Sequence, residues 1–346
     1  MLYDFFTQMQ NPLAADLDHV LRHTEGIWEE VRGRRIFITG GTGFFGRWLL
    51  ESFVHANDAL ELGATAWVLT RDPAAFRGKA PQLADHRAIR LHASDFTNFE
   101  FPTGDFHAVL HAATEPSTGL SDPNLPGTRR VLEFASASGA KRFLFTSSGA
   151  AYGRQPSEIT HIPEDYPGAP DTMDPGTAYG QSKRACEFRC AMYAKQYGFA
   201  SPIARCFAFA GPLLPLELNF AIGNFVRDAL RGGPIRVAGD GTARRSYLYA
   251  ADLAVWLWTI LFRGASCRIY NVGSDADLSI ADLAAEVAAV VAPGCAISVA
   301  GRPVEGTPPA RYVPSVERAR TELGIEALVP LEEAIRRMAY WYRSAG

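Results

Sequence analysis

Apolar positions along the chain fall into two kinds of segment: short continuous runs, and longer stretches with helical spacing. The first run, Arg35-Ile36-Phe37-Ile38-Thr39, suits a buried strand, then breaks into glycines and resumes as the helical pattern Trp48-Leu49-Leu50-Glu51-Ser52-Phe53-Val54. Later runs predict strands at 64–70, 88–92, 107–113, 142–146 and 202–207, with helices over 128–137 and 178–197. Strands alternating with helices predict an α/β chain with a parallel, doubly wound sheet and right-handed crossovers. Ahead of the first strand, Leu13, Leu17, Val20, Leu21, Ile27, Trp28 and Val31 suggest one or two amphipathic helices in an arm spanning 1–34. Residues 152–177 are rich in Pro, Gly and Asp and read as a long loop, a kind of segment that is often functional. Beyond it come a loop at 211–224, a helix at 225–231, a strand at 235–237, an apolar helix at 253–262, a strand at 268–272 and a helix at 280–291. A last helix carries Leu331, Ala334, Ile335, Met338 and Trp341.

Composition narrows the class. With 346 residues, 47% hydrophobic and 21% charged, the chain can bury a sizeable core. The net charge of −3 and the lack of any Lys/Arg run argue against a nucleic-acid partner. The start of the chain lacks signal-peptide character, and the longest apolar run is too short to span a bilayer. The expectation is a cytoplasmic protein that does not engage a membrane. The cysteines, Cys186, Cys190, Cys206, Cys267 and Cys295, form no C-x-x-C pair and are expected to be reduced and mostly packed, with no metal site.

Three stretches carry candidate chemistry. The first is the glycine turn. Gly41, Gly43 and Gly46 satisfy G-x-G-x-x-G, and Gly40, Gly43 and Gly46 satisfy a looser T-G-x-x-G-x-x-G. Either spacing allows a tight turn, close backbone approach to a pyrophosphate and a helix N-terminus facing the phosphates. The second is Tyr179-Gly180-Gln181-Ser182-Lys183, which puts a phenol and an ammonium on one helix face. The ammonium is expected to lower the phenol pKa, so that it exchanges a proton with a carbinol near neutral pH. The third is Thr146-Ser147-Ser148, just past a predicted strand, where a hydroxyl can reach the same oxygen.

In this order and on these elements, the motifs resemble those of the extended short-chain dehydrogenase/reductases, the nucleotide-sugar epimerases, dehydratases and reductases. The resemblance runs from about Arg35 to the C-terminus. It implies a Rossmann-type domain over 35–206 plus 245–273, and a smaller C-terminal α/β substrate-binding lobe over 207–244 plus 274–346. It assigns Ser148, Tyr179 and Lys183 as the catalytic triad; Ser148 stands four residues before Tyr152-Gly153, as the family's hydroxyl does. Cofactor contacts would come from Gly40, Gly43, Phe44, Phe45, Gly46, Arg71, Asp95, Phe96, Ala112, Ala113, Tyr179, Lys183 and Phe207. Substrate contacts would come from Thr114, Ser148, Asn219, Asn224, Arg245 and Arg311, with Arg302 competing for the role of Arg311. The Asn that usually follows the Phe of the Arg-x-Phe stretch is Ala208 here.

The resemblance also narrows the reaction. Hydride transfer at a sugar carbon, usually C4, is common to the family. Its 4,6-dehydratases carry Asp and Glu directly after the triad hydroxyl, and a decarboxylating member uses a Glu there; this chain has Gly149 and Ala150. A substitute acid from the loop would be Glu158, Glu164 or Asp165. What is left is a 4-keto (6-deoxy) sugar reductase, with a 4-epimerase as the alternative and a non-catalytic dinucleotide sensor as the competing class. At the end of the second strand, Arg71 suits a 2′-phosphate and favours NADP(H), while Asp72 one position on keeps NAD(H) open. By analogy with the family, the chain is expected to form a homodimer and to act on a nucleotide-diphosphate sugar.

Overall fold

A computed structural model describes residues 11–115, 122–218 and 220–344. Its principal sheet is built from β1 (Arg35–Thr39), β2 (Thr65–Thr70), β3 (Ile89–Ala93), β4 (Ala108–His111), β5 (Arg142–Ser148), β6 (Ile203–Cys206) and β11 (Ile269–Val272). The strand order is β11-β6-β5-β4-β1-β2-β3. The pairings from β3 through β6 are parallel, so this is the doubly wound Rossmann order, with its switch point between β1 and β4. The helices are α1 (Ala14–His23), α2 (Phe44–Ala59), α3 (Pro73–Lys79), α4 (Pro81–Ala84), α5 (Asn124–Ala137), α6 (Ala178–Tyr197), α7 (Ala221–Leu230), α8 (Ala250–Arg263), α9 (Ile280–Val291), α10 (Glu317–Leu323) and α11 (Leu331–Ser344).

The chain divides into two compact units. The first holds the chain up to Arg154, then Pro167–Cys206 and Ala254–Tyr270. Its strands β1, β4 and β5 are buried on both faces, which is why they read as continuous apolar runs. One core cluster stacks Phe37, Phe99, Phe106 and Phe134, with Phe37 and Phe134 centroids 4.5 Å apart. The N-terminal arm belongs to this unit. Trp28, 1% exposed, packs on Trp258 at 5.0 Å, and the two indole N–H groups donate to Thr24 and Ser52.

The second unit holds Gln155–Tyr166, Phe207–Leu253 and the chain from Asn271 on. Its helices α7, α9 and α11 pack through Ile222, Phe225, Leu283, Val287, Ile335 and Met338. The remaining strands are β7 (Phe209–Ala210), β8 (Ile235–Val237), β9 (Arg244–Ser246), β10 (Leu248–Tyr249), β12 (Asp277–Ser279), β13 (Ile297–Val299) and β14 (Arg311–Tyr312). They form a three-stranded sheet, β12-β9-β14, and the pairs β10-β7 and β13-β8.

This division departs from the expected boundaries in two places, and hydrogen bonds explain both. The strap 155–166 goes with the second unit, because Ile162 exchanges backbone bonds with Val313 and Ser315 (2.9 Å each), and Gln155 accepts from Val313 N–H. Residues 245–253 and 271–273 go there too. Strand β9 lies between β12 and β14, Asp252 accepts from Leu328 and Val329 N–H, and Asn271 Nδ2 donates to Ile162 and Ser315 carbonyls. Helix α7 begins at Ala221, so Asn224 lies in a helix and not in the expected loop. The shortest strands, β7, β9, β10, β12, β13 and β14, carry too few residues for a periodic signal.

Candidate active site

The glycine turn joins β1 to α2, and its glycines serve different ends. Gly40 has φ +69°, and a Cβ there would lie 2.6 Å from the Ala112 carbonyl carbon and Ala113 nitrogen. A Cβ on Gly46 would lie 2.2 Å from the Gly40 oxygen. Both are therefore fixed by backbone packing, with the turn after β4 in one case and within the glycine turn in the other. Gly43 is different: the nearest atom to its Cβ would be Gly40 O at 3.5 Å, an ordinary contact. The protein leaves room over Gly43, which is the N-cap of α2, with no side-chain cap and no acid in the first turn. A cradle of open space at an uncapped helix N-terminus fits a pyrophosphate. We expect Gly43→Ala to weaken dinucleotide binding at least about tenfold in calorimetric titration, one lost close approach, with little change in melting temperature. Gly46→Ala should lower the melting temperature itself.

Ser148 ends β5, and Tyr179 and Lys183 stand in the first two turns of α6. Gly180 lets α6 approach the turn after β5, since a Cβ there would lie 2.4 Å from Ala150 O. This packing brings the Ser148 and Tyr179 hydroxyls into hydrogen-bond contact. Ser148 Oγ also accepts from Ala150 N–H at 3.2 Å. Lys183 is 2% exposed, donates to Thr146 O at 2.9 Å and lies 5.7 Å from the Tyr179 ring centroid.

The electrostatics of the pair reverse the expectation. The Tyr179 pKa is raised, because burial outweighs the Ser148 hydrogen bond. Burial likewise lowers the Lys183 pKa. With its Nζ bound to a carbonyl, the ammonium does not compensate the phenol, and Tyr179 is a neutral proton donor in the free protein. Cys206, at the end of β6, has its thiol pushed up to about 12 by burial, so it carries no charge beside them.

Two buried networks hold this arrangement. His111 Nδ1 meets Thr39 Oγ1 at 2.6 Å, and Nε2 meets Thr128 Oγ1 at 3.0 Å. Burial drives the His111 pKa down to about 3, so the ring is a neutral link between β1, β4 and α5. Its backbone oxygen accepts from Thr146 Oγ1, whose own carbonyl holds Lys183. On the other side, Glu187 of α6 takes a fork from Arg205 of β6 (2.8 and 2.6 Å) and the Ser147 hydroxyl (2.5 Å). The Arg205 guanidinium lies 4.1 Å from the Tyr152 centroid.

At the far end of the turn, Arg71 follows β2 and pairs with Glu115 at 2.7 Å. Asp72 accepts from Ala75 N–H and caps α3. Asp95 accepts from the backbone and hydroxyl of Thr97, and neighbouring Phe96 is buried in the core, its ring filling the space a Cβ on Gly127 would need. Any cofactor contact from Phe96 therefore runs through its backbone. Phe44 and Phe45 stand at the start of α2; Thr114, past β4, bonds Asn124 Oδ1.

In the second unit, the register sets Arg311 beside Arg244 and Tyr312 beside Arg245. Neighbours along a strand point to opposite faces. Arg245 accordingly packs over the Tyr312 ring at 5.8 Å, beside Phe207, while Arg244 and Arg311 share the Asp277 carboxylate. Arg245 and Arg311 are therefore not brought together. Arg302 is exposed, and Asn224 Oδ1 accepts from Arg227. Asn219 lies outside the described residues. The loop acids are used within their own unit: Glu164 accepts from Asn271 N–H, and Glu158 from the Ser157 hydroxyl. Among the described residues, no cluster of three or more His, Cys, Asp or Glu is placed to hold a metal, and no helix is long and apolar enough to cross a membrane.

A sequence model of the NAD dependent epimerase/dehydratase family matches residues 36–273, from β1 through the end of β11. The chain belongs to that family. Its curated relatives include UDP-glucuronic acid decarboxylase 1 of Xenopus tropicalis, 28% identical over 317 residues, covering 90% of this chain and 72% of the relative. Among solved structures, a point mutant of the UDP-glucuronic acid 4-epimerase of Bacillus cereus, in complex with UDP-4-deoxy-4-fluoro-glucuronic acid and NAD, aligns with a TM-score of 0.75. It is 21% identical and covers 90% of this chain and all of that one (100%). The dTDP-glucose 4,6-dehydratase of Streptomyces venezuelae with NAD and TYD bound aligns with a TM-score of 0.74 at 23% identity, over 90% and 97% of the two chains. These likenesses establish the Rossmann fold of the family for this chain.

Motif reading missed three features of this family member. The Glu187–Arg205 pair and the His111–Thr128 contact join residues far apart in sequence, so no single stretch shows either contact. Glu115 carried no signal at all, since a lone acid after a strand is an ordinary loop residue.

Proposed function

We propose that this epimerase/dehydratase family member is a nicotinamide-dependent oxidoreductase acting at C4 of a nucleotide-diphosphate sugar, as a 4-keto (6-deoxy) sugar reductase. The observation that carries the reading is a hydrogen-bonded Ser148–Tyr179 pair with buried Lys183 beside it, followed by Gly149 and Ala150. When bound, the nicotinamide supplies a hydride to C4. Tyr179 would give its phenolic proton to the C4 oxygen, and Ser148 would hold that oxygen in line. Lys183, fixed on Thr146 O, would orient the phenol and reach the nicotinamide ribose. Removing water or carbon dioxide asks for a further acid or base, and Gly149 and Ala150 cannot supply one. Arg245, with Tyr312 beneath it, would hold the diphosphate.

A 4-epimerase is the second reading, favoured by the same absence of acid and base. The two separate on one measurement. With NADPH and a 4-keto nucleotide sugar, the reductase consumes reductant in step with product, followed at the nicotinamide absorbance and by NMR. An epimerase instead interconverts two nucleotide hexoses with no net change in reductant. Loss of neither substrate nor reductant over a panel of nucleotide sugars would defeat both.

For the cofactor we favour NADP(H) over NAD(H), because Arg71 follows β2 and Asp72 is occupied as a helix cap. We also propose a homodimer. Phe188 (67% exposed) and Met192 (51%) stand one turn apart on the outer face of α6, with Tyr197 (50%) at its end, and such apolar side chains suit a self-complementary contact. Phe188→Asp with Met192→Asp should move the protein from dimer to monomer mass in light scattering. A wild type already monomeric at micromolar concentration would end that proposal.

A further inference from the structure

The Arg71–Glu115 pair lies across the dinucleotide turn. Arg71 follows β2 and Glu115 follows β4, the two strands that flank β1 in the sheet. The 2.7 Å contact therefore bridges over the carboxyl end of β1, where the glycine turn begins. Glu115 is not a loose loop residue. Its N–H donates to Asn124 Oδ1 and its carbonyl accepts from Asn124 Nδ2, both at 2.9 Å, and Asn124 is 3% exposed. The backbone is pinned by the start of α5, and the carboxylate reaches the guanidinium.

We propose that Glu115 narrows the preference for NADP(H) over NAD(H) by competing with the cofactor's 2′-phosphate for Arg71. The inference rests on the reading that the glycine turn holds a dinucleotide. A guanidinium meets one planar or tetrahedral anion best, through a fork of charge-assisted bonds. In the free protein the carboxylate takes one arm of that fork, with Glu115 Oε1 2.7 Å from Arg71 Nη1. A 2′-phosphate must displace it and then stand near its negative charge, whereas a ribose 2′-OH asks nothing of Arg71. Glu115 thus handicaps NADP(H) and leaves NAD(H) untouched. Asp72, committed to the α3 cap, does not take part.

The test is calorimetric titration of the full chain with NADP+ and NAD+, for wild type, Glu115→Gln, Arg71→Ala and the double variant, each checked by thermal melting. Because Arg71 is 67% exposed, the gain should be modest. Glu115→Gln is expected to tighten NADP+ about three- to fivefold, the upper range for an exposed pair, and to change NAD+ less than about twofold. In the Arg71→Ala background the gain should vanish, since Glu115 acts through the guanidinium. No gain, an equal gain for both dinucleotides, or a gain that survives Arg71→Ala overturns the proposal and leaves the dinucleotide reading intact. A wild type that binds neither dinucleotide overturns both.

Discussion

Replacing Tyr179 by Phe should lower kcat about 10²- to 10⁴-fold, the contribution of a positioned general acid, with a far smaller effect on dinucleotide affinity. The variant keeps the ring that fills the first turn of α6 and removes only the hydroxyl bonded to Ser148. The protonation state of Tyr179 follows from its burial. Burial raises the phenol pKa, so Tyr179 holds its proton at neutral pH and is ready to give it to a developing alkoxide. Ser148→Ala should cost less, because it removes a partner of the acid and not the acid. If Tyr179→Phe turned over the true substrate at the wild-type rate, the proton would come from elsewhere and the mechanism would fall.

Glu187→Ala should destabilise the chain by about 3–5 kcal/mol, the cost of stranding a buried charge. Arg205 is 4% exposed, and Glu187 is the carboxylate that receives its fork. The same carboxylate holds Ser147, the residue before Ser148, so the loss falls next to the catalytic hydroxyl. Urea unfolding of the wild type and variant measures the difference. Replacing both partners by apolar residues of similar volume should recover most of it, because an empty pair site strands no charge. A Glu187→Ala midpoint within error of wild type would mean that water or another group reaches Arg205.

Most of the first unit was legible in the sequence because its signals are local. Strands buried on both faces must be apolar throughout, and their spacing with helices dictates a parallel order. The predicted span of α6 matches the observed Ala178–Tyr197, since a long helix averages its signal over many residues. In the second unit, strands of two or three residues such as β9 and β14 average over nothing. The faces that Arg245 and Arg311 occupy were not legible for the same reason: they depend on a register set by pairing, and spacing along the chain does not carry it.

The sequence by itself determined the parallel, doubly wound sheet, the glycine turn and the placing of Tyr179 and Lys183 on one helix face. Each follows from backbone sterics or from the helical repeat, which act over a few residues. Only the tertiary structure decided what those groups do. It brought Ser148 to Tyr179, set burial against the Lys183 charge and let burial win, and joined Arg71 to Glu115 across β1. Desolvation and ion pairing depend on everything packed around a group, whatever its distance along the chain, and so they appear only once the chain has folded.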